Sequence, residues 1–167
     1  NIKPLEGESD IKIFKTYGTA MIKWESLNLE FVGARKESYS FESRNPKIIS
    51  GNLKDDQDRR DFTVNTIAIQ LNSSSFGDLI DPFDGIKDIK NRILRTPMDP
   101  NTTYTDDPLR MLRGIRFSCQ LNFNISKESE IAIKSKSKRI GIISNERIVE
   151  ELNKILMSDS PSRGFIL

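Results

Sequence analysis

Asp106-Asp107-Pro108-Leu109-Arg110-Met111-Leu112-Arg113 sets carboxylates and two guanidiniums into what reads as the opening turns of a helix. An Asp at the N-cap accepts backbone N–H bonds, a proline just inside the start lacks only an N–H without a helical partner, and apolar residues follow at helical spacing. Asp107, Arg110 and Arg113 then share one face, and Leu109, Leu112, Ile115 and Cys119 form the expected buried stripe opposite. The charged face is left open to a partner. An Asp acceptor beside an Arg donor fits the Watson–Crick edge of cytosine or adenine, where an amino donor adjoins a ring-nitrogen acceptor. It mismatches uracil and guanine, and good bidentate pairs of this kind discriminate by roughly 1–3 kcal/mol. On their own, these residues equally suit a plain capped helix carrying a solvated i,i+3 bridge worth about a few tenths of a kcal/mol, which is the commoner case.

A second charged entry lies upstream, at Arg59-Arg60-Asp61-Phe62-Thr63-Val64-Asn65. With Asp61 as a candidate N-cap and Thr63 and Asn65 in the first turn, two adjacent arginines at a helix N-terminus make a phosphate cradle. The Asp61 carboxylate is placed to accept from a ribose hydroxyl. Charge pairing with Asp55, Asp56 and Asp58 accounts for the same residues about as well.

These segments resemble successive motifs of one family. Leu53-x-x-Asp56-x-x-Arg59-Arg60-Asp61-Phe62-Thr63-x-Asn65, then Ile80-Asp81-Pro82-Phe83-x-Gly85, then Asp106-Asp107-x-x-Arg110-x-x-Arg113-x-x-Arg116-Phe117 are similar, in order and interval, to the class II tRNA nucleotidyltransferase and bacterial poly(A) polymerase family. Glu146-Arg147-Ile148 with Glu151-Leu152 and Ile155-Leu156 resembles its last neck motif. Gly18-Thr19-Ala20 and the run from Glu30 to Tyr39 resemble its palm strands. The resemblance implies addition of C and A, or of A alone, from CTP and ATP to a tRNA or other RNA 3′ end, with Mg²⁺ as cofactor. It assigns Arg60 to the triphosphate, Asp61 to the ribose, Asn65 to local support, Asp107 and Arg110 to the base edge, and Arg113 and Arg116 to steadying base or phosphate. Glu30 falls where a third acidic residue joins the catalytic metal site, although a solvent-facing strand residue explains it as well. The family's Gly-Gly loop and Asp-x-Asp have no counterpart here: residues 1–10 hold only Glu6, Glu8 and Asp10. Two-metal phosphoryl transfer needs those carboxylates, so the chain as it stands is expected to be catalytically incomplete. A poly(A) polymerase adding A only, and a non-catalytic nucleotide- or RNA-binding module, are the competing expectations.

Bulk properties narrow the classes further. A chain of 167 residues with 36% apolar content can hold a core, and a net charge of +2 excludes extensive wrapping of nucleic acid, so any RNA contact must be a local patch. Histidine is absent, which removes Ser-His and Cys-His catalysis and the usual zinc sites. The one cysteine rules out an internal disulfide framework, and Cys119 reads as core rather than nucleophile. Without a signal-peptide pattern or an 18-residue apolar run, the cytoplasm is the expected compartment.

The elements that must position these groups fall into two parts, giving an α+β fold. Residues 1–100 read as a mixed β-sheet nucleotidyltransferase palm or head, incomplete at its N-terminus, and residues 101–167 as an all-helical neck with the helical body cut off. Ile11–Phe14, Thr19–Trp24 and Leu29–Val32 read as short strands. Residues 36–58 read as a long polar loop, where Arg35, Lys36 and Arg44 are candidates to hold a triphosphate. Residues 67–71 and 78–81 read as a hairpin. Helices are expected over 107–121, 127–138 and 145–157, with Ser126 and Ser144 as N-caps and Ile148, Leu152, Ile155 and Leu156 as a packing stripe, and another starts at Ser160-Pro161.

Overall fold

The computed structural model describes residues 11–14, 18–40 and 43–166. Glu6, Glu8 and Asp10, and the side chain of Arg44, lie outside the described residues.

The chain is α+β, with small sheets in its first half and helices in its second. β1 (Ile11–Phe14), β2 (Thr19–Trp24) and β3 (Leu27–Val32) form an antiparallel sheet in the order β1-β2-β3, at the expected places. β4 (Arg35–Ser40) and β5 (Ser43–Ser50) follow as a hairpin, and α1 (Leu53–Asp58) closes the segment. This corrects the expected loop over 36–58. The inward positions of β4 are Arg35, Glu37 and Tyr39, partly buried between exposed Lys36 and Ser38, so the alternation is real but polar and carries no apolar period. α1 starts with a capping box: Asn52 accepts from the Asp55 N–H at 2.9 Å, and the Asp55 carboxylate accepts from the Asn52 N–H at 3.0 Å.

Because α1 ends at Asp58, Arg59 and Arg60 stand at a helix C-terminus. The expected N-terminal phosphate cradle is thereby corrected: only a single 3₁₀ turn, Thr63–Asn65, follows, with Phe62 at its N-cap position. β6 (Ala68–Ile69) and β7 (Leu79–Ile80) make the expected hairpin, shorter than its sequence span. The Asp81 carboxylate then accepts from the N–H groups of Gly85 (2.7 Å) and Ile86 (2.9 Å), capping α2 (Gly85–Asn91). Gly85 lies so close to the Thr63 carbonyl that a Cβ would stand 2.5 Å from its oxygen. Thr63 in turn donates its hydroxyl to Asp88 at 2.6 Å, so α2 fixes the segment that carries Asp61.

β8 (Ile93–Leu94) pairs with β9 (Asn124–Ile125), the one parallel pairing among the described residues. Between them run α3 (Pro100–Asp106) and α4 (Leu109–Leu121), and after them α5 (Lys127–Lys136), a 3₁₀ stretch (Ser137–Ile142), α6 (Asn145–Leu156) and α7 (Pro161–Ile166). α3 was not expected as a separate element, although Asp99-Pro100 is a strong start signal: the Asp99 carboxylate accepts from the N–H groups of Asn101 and Thr102. Asp106 therefore ends one helix while Asp107 opens the next. Ser126 accepts from the Ser129 N–H as an N-cap should, and Ser144 holds the N-cap position of α6.

The core gathers Tyr104 of α3, Met111 of α4 and Ala132 of α5, with Ile133 and Ile140 against them. Burial leaves the Tyr104 hydroxyl pushed up to about 12. On α4 the buried side is Leu109, Met111, Gly114, Ser118 and Cys119, with Leu112 and Ile115 half-buried, so the stripe is rotated from the expected one. Gly114 lets the Phe62 ring approach to where a Cβ would meet it at 3.1 Å, and Phe62 meets Phe117 edge-on at 5.8 Å. Burial pushes the Cys119 thiol up, as the core assignment requires. In α6, Ile155 is buried and Leu156 exposed, which removes Leu156 from the expected stripe.

Candidate functional site

A cleft of about 570 Å³ opens between the β4–β5 hairpin, the 59–65 segment and α4, with Arg147 of α6 at its edge. Arg60, Asp61, Asn65, Asp107, Arg110 and Arg113 all line it. Residues separated by more than forty positions thus meet in one place, as the two motifs require. Arg116 does not line the cleft, and neither does Glu30, which is exposed on β3 opposite Met21.

Backbone geometry places each group. Pro108, not Asp107, takes the N-cap position of α4, and the Asp107 carboxylate just before it accepts from the N–H of Leu109, the first helical residue, at 3.1 Å. Three residues on, Arg110 is nearly buried, not on an open charged face as its sequence position suggests. Its Nη2 donates to the Arg59 carbonyl at 2.7 Å and to the Tyr39 hydroxyl at 3.3 Å. Arg113 donates from Nε to Asp61 Oδ2 at 2.7 Å, and its Nη2 is 2.6 Å from the same oxygen. Asp61 Oδ1 accepts from Asn65 Nδ2 at 2.8 Å and from the Phe62 N–H at 3.0 Å. The charged face is therefore a knitted wall rather than a set of free side chains.

The entrance is built similarly. Asp56 receives Arg59 on one oxygen and Arg60 on the other, the latter at 2.8 Å. Burial works against the charged Asp56 carboxyl, but the hydrogen bonds from Arg60 and Arg59 outweigh it and hold the group below the usual carboxylate range. Arg60 keeps 43% of its side chain exposed, so it still faces solvent and cleft. Arg116 points instead toward α6, where its Nε meets the buried Glu151 at 2.6 Å, and its guanidinium stacks 4.0 Å from the centre of the Phe117 ring.

Glu37 and Tyr39, given no role by their sequence context, and Arg147, part of the neck motif, also line the cleft. The period-two spacing of Arg35, Glu37 and Tyr39 was the available signal. The lining holds six arginines, Arg35, Arg59, Arg60, Arg110, Arg113 and Arg147, against three carboxylates, so the cleft suits an anion. Among the described residues no group of three or more His, Cys, Asp or Glu is placed to hold a metal ion. No helix is long and apolar enough to cross a membrane.

Residues 5–95 match the model of the poly A polymerase head domain, and residues 122–167 that of the probable RNA and SrmB-binding site of polymerase A. The A-adding tRNA nucleotidyltransferase of Aquifex aeolicus is 37% identical over 149 residues, 87% of this chain and 18% of that protein. A tRNA nucleotidyltransferase crystallised with a primer tRNA and an incoming ATP analogue superposes with a TM-score of 0.78 at 30% identity, covering 94% of this chain and 43% of that one. The Bacillus stearothermophilus CCA-adding enzyme in complex with CTP gives 0.79 at 28% identity, covering 95% and 37%. The chain thus spans less than half the length of each of these proteins. Since the head-domain model covers more than half of the chain, the protein belongs to the poly A polymerase head-domain family that its motifs resemble.

Proposed function

We propose that this chain is the nucleotide-recognising part of a tRNA nucleotidyltransferase that adds C and A, or A alone, to a tRNA 3′ end from CTP and ATP. The observation that carries the reading is the convergence of Asp107 and Arg110 with Arg60, Asp61 and Asn65 on one anion-suited cleft. In the reaction the RNA 3′ hydroxyl attacks the α-phosphate and pyrophosphate leaves. Arg60, Arg35 and Arg147 hold the triphosphate by charge. A carboxylate has about four lone-pair sites, so Asp107 can hold the Leu109 N–H and still accept from the exocyclic amine of C or A. Arg110, with its Nη2 anchored, offers remaining guanidinium N–H groups to the ring nitrogen. Asp61, held by Arg113 and Asn65, accepts from the ribose hydroxyl. In this reading residues up to about 100 form the head and those beyond it the neck.

The described residues do not fit Mg²⁺, which the family resemblance implies: Glu30 is exposed and no carboxylate cluster accompanies it. That observation favours a second reading, a nucleotide- or RNA-binding module without chemistry of its own.

Titration calorimetry with CTP, ATP, UTP, GTP and inorganic tripolyphosphate tests the recognition directly. CTP and ATP should bind about tenfold tighter than UTP and GTP, and Asp107→Ala should erase that preference while tripolyphosphate affinity holds. Equal affinity of the unaltered chain for all four nucleotides would refute the base-edge reading. Tails made on tRNA lacking its 3′ end separate CCA addition, addition of A alone, and open-ended A synthesis.

A further inference from the structure

The inward row of β4 forms a chain of contacts that ends on Arg110. Arg35 Nε lies 2.9 Å from Glu37 Oε1, and Arg59 Nη1 lies 3.2 Å from the same oxygen. The other Glu37 oxygen, Oε2, accepts the Tyr39 hydroxyl proton at 2.6 Å. With its one proton committed to Glu37, the Tyr39 oxygen can only accept from other partners, and it accepts from Arg110 Nη2 at 3.3 Å. The Arg110 carbon also stands 5.9 Å from the Tyr39 ring centre. The Glu37 side chain is 4% exposed, so this acceptor is fixed by the fold. Burial and the bond to Glu37 push the Tyr39 hydroxyl well above the ordinary phenol range, which keeps it protonated.

Only two oxygens, the Arg59 carbonyl and the Tyr39 hydroxyl, hold the Arg110 guanidinium among the hydrogen bonds of the described residues. A planar fork reads a base edge only if its plane is fixed, and two anchors on one nitrogen from different directions fix it better than one. We infer that Tyr39 is a positioning residue for base selection: oriented by Glu37, it fixes the plane in which Arg110 presents its donors to cytosine or adenine. The role rests on the base-edge reading of Asp107 and Arg110.

The test compares Tyr39→Phe with the unaltered chain, titrating CTP, ATP, UTP and inorganic tripolyphosphate, with thermal unfolding measured alongside. Phe keeps the ring and removes only the hydroxyl. The preference for CTP and ATP over UTP should fall about threefold, the scale of one modest hydrogen bond, because the Arg59 carbonyl still holds Arg110, while tripolyphosphate affinity and the unfolding midpoint stay within error. Glu37→Gln, which presents an amide in place of the oriented carboxylate, should lower the preference in the same direction by a smaller factor. A Tyr39→Phe chain that keeps the full preference overturns the role of Tyr39 alone. An unaltered chain without preference overturns the base-edge reading, and this role with it. A uniform loss for all ligands, tripolyphosphate included, also overturns it, since that marks a general structural part.

Discussion

Arg113 and Arg116 stand almost one turn apart on α4, carry the same group and meet a carboxylate at the same 2.6 Å, yet their surroundings differ. Arg113 keeps 35% of its side chain exposed and pairs with Asp61 on the cleft wall. Arg116 keeps 11%, pairs with Glu151 of α6, and has the Phe117 ring against it. Identical chemistry thus serves opposite ends: at the cleft, water and ligand can compete for the pair, whereas between helices the pair is sealed and holds α4 against α6. Exposure, rather than residue type, separates a recognition contact from a brace.

The largest effect should come from breaking the brace. Glu151→Ala leaves the Arg116 charge without its partner inside the neck and should lower unfolding free energy by about 3 kcal/mol in urea. The ratio of CTP to UTP affinity should be unchanged in the fraction that remains folded. Arg113→Ala should cost less stability, about 1 kcal/mol, because the vacated position opens to the cleft and the buried Asp61 carboxylate keeps its bonds from Asn65 and the Phe62 N–H, and its main effect should be weaker binding of CTP and ATP by calorimetry. A stability loss as large as that of Glu151→Ala would break the comparison.

The smallest effect is a pH dependence. Burial works against the charged Glu151 carboxyl, but hydrogen bonds from Arg116 and Lys154 outweigh it and hold the group below the usual range. A carboxyl depressed on folding contributes stability that is complete above its unfolded value, near about 4.3, and is lost as pH falls through the lower folded value. Urea midpoints should therefore decline below that point, and the decline should be shallower in Glu151→Gln. An identical acid limb in both chains would place the acid sensitivity elsewhere, Asp56 being another depressed carboxyl.

The helices from α4 onward and the first strands were legible because their signals are local. Ser126, Ser144 and Pro161 mark starts, and the apolar runs of β1 and β2 mark strands. The motif residues were also legible as a set, since Arg60, Asp61, Asn65, Asp107, Arg110 and Arg113 meet in one cleft. What stayed hidden depends on partners far away in the chain. β4 looks like loop because its inward side chains are charged or polar, and they become interior only when Arg59 and Arg110 arrive to satisfy them. Arg116 looks like its neighbours until Glu151, thirty-five positions later, claims it. Arg110 looks like a surface charge until the Arg59 carbonyl accepts from it across the turn.

The parallel pairing of β8 with β9 ties Leu94 to Ile125 across the stretch that contains α3 and α4. Closing a loop of about thirty residues costs on the order of 3 kcal/mol of chain entropy, so this clasp follows the local helices in folding instead of guiding them. Just past β8, the Arg95 carbonyl accepts from the Thr63 N–H at 2.8 Å, so the same region also holds the 59–65 wall of the cleft. Under the proposed function, a nucleotide present during refolding would act by trapping that last closure, slowing its reopening more than speeding its approach.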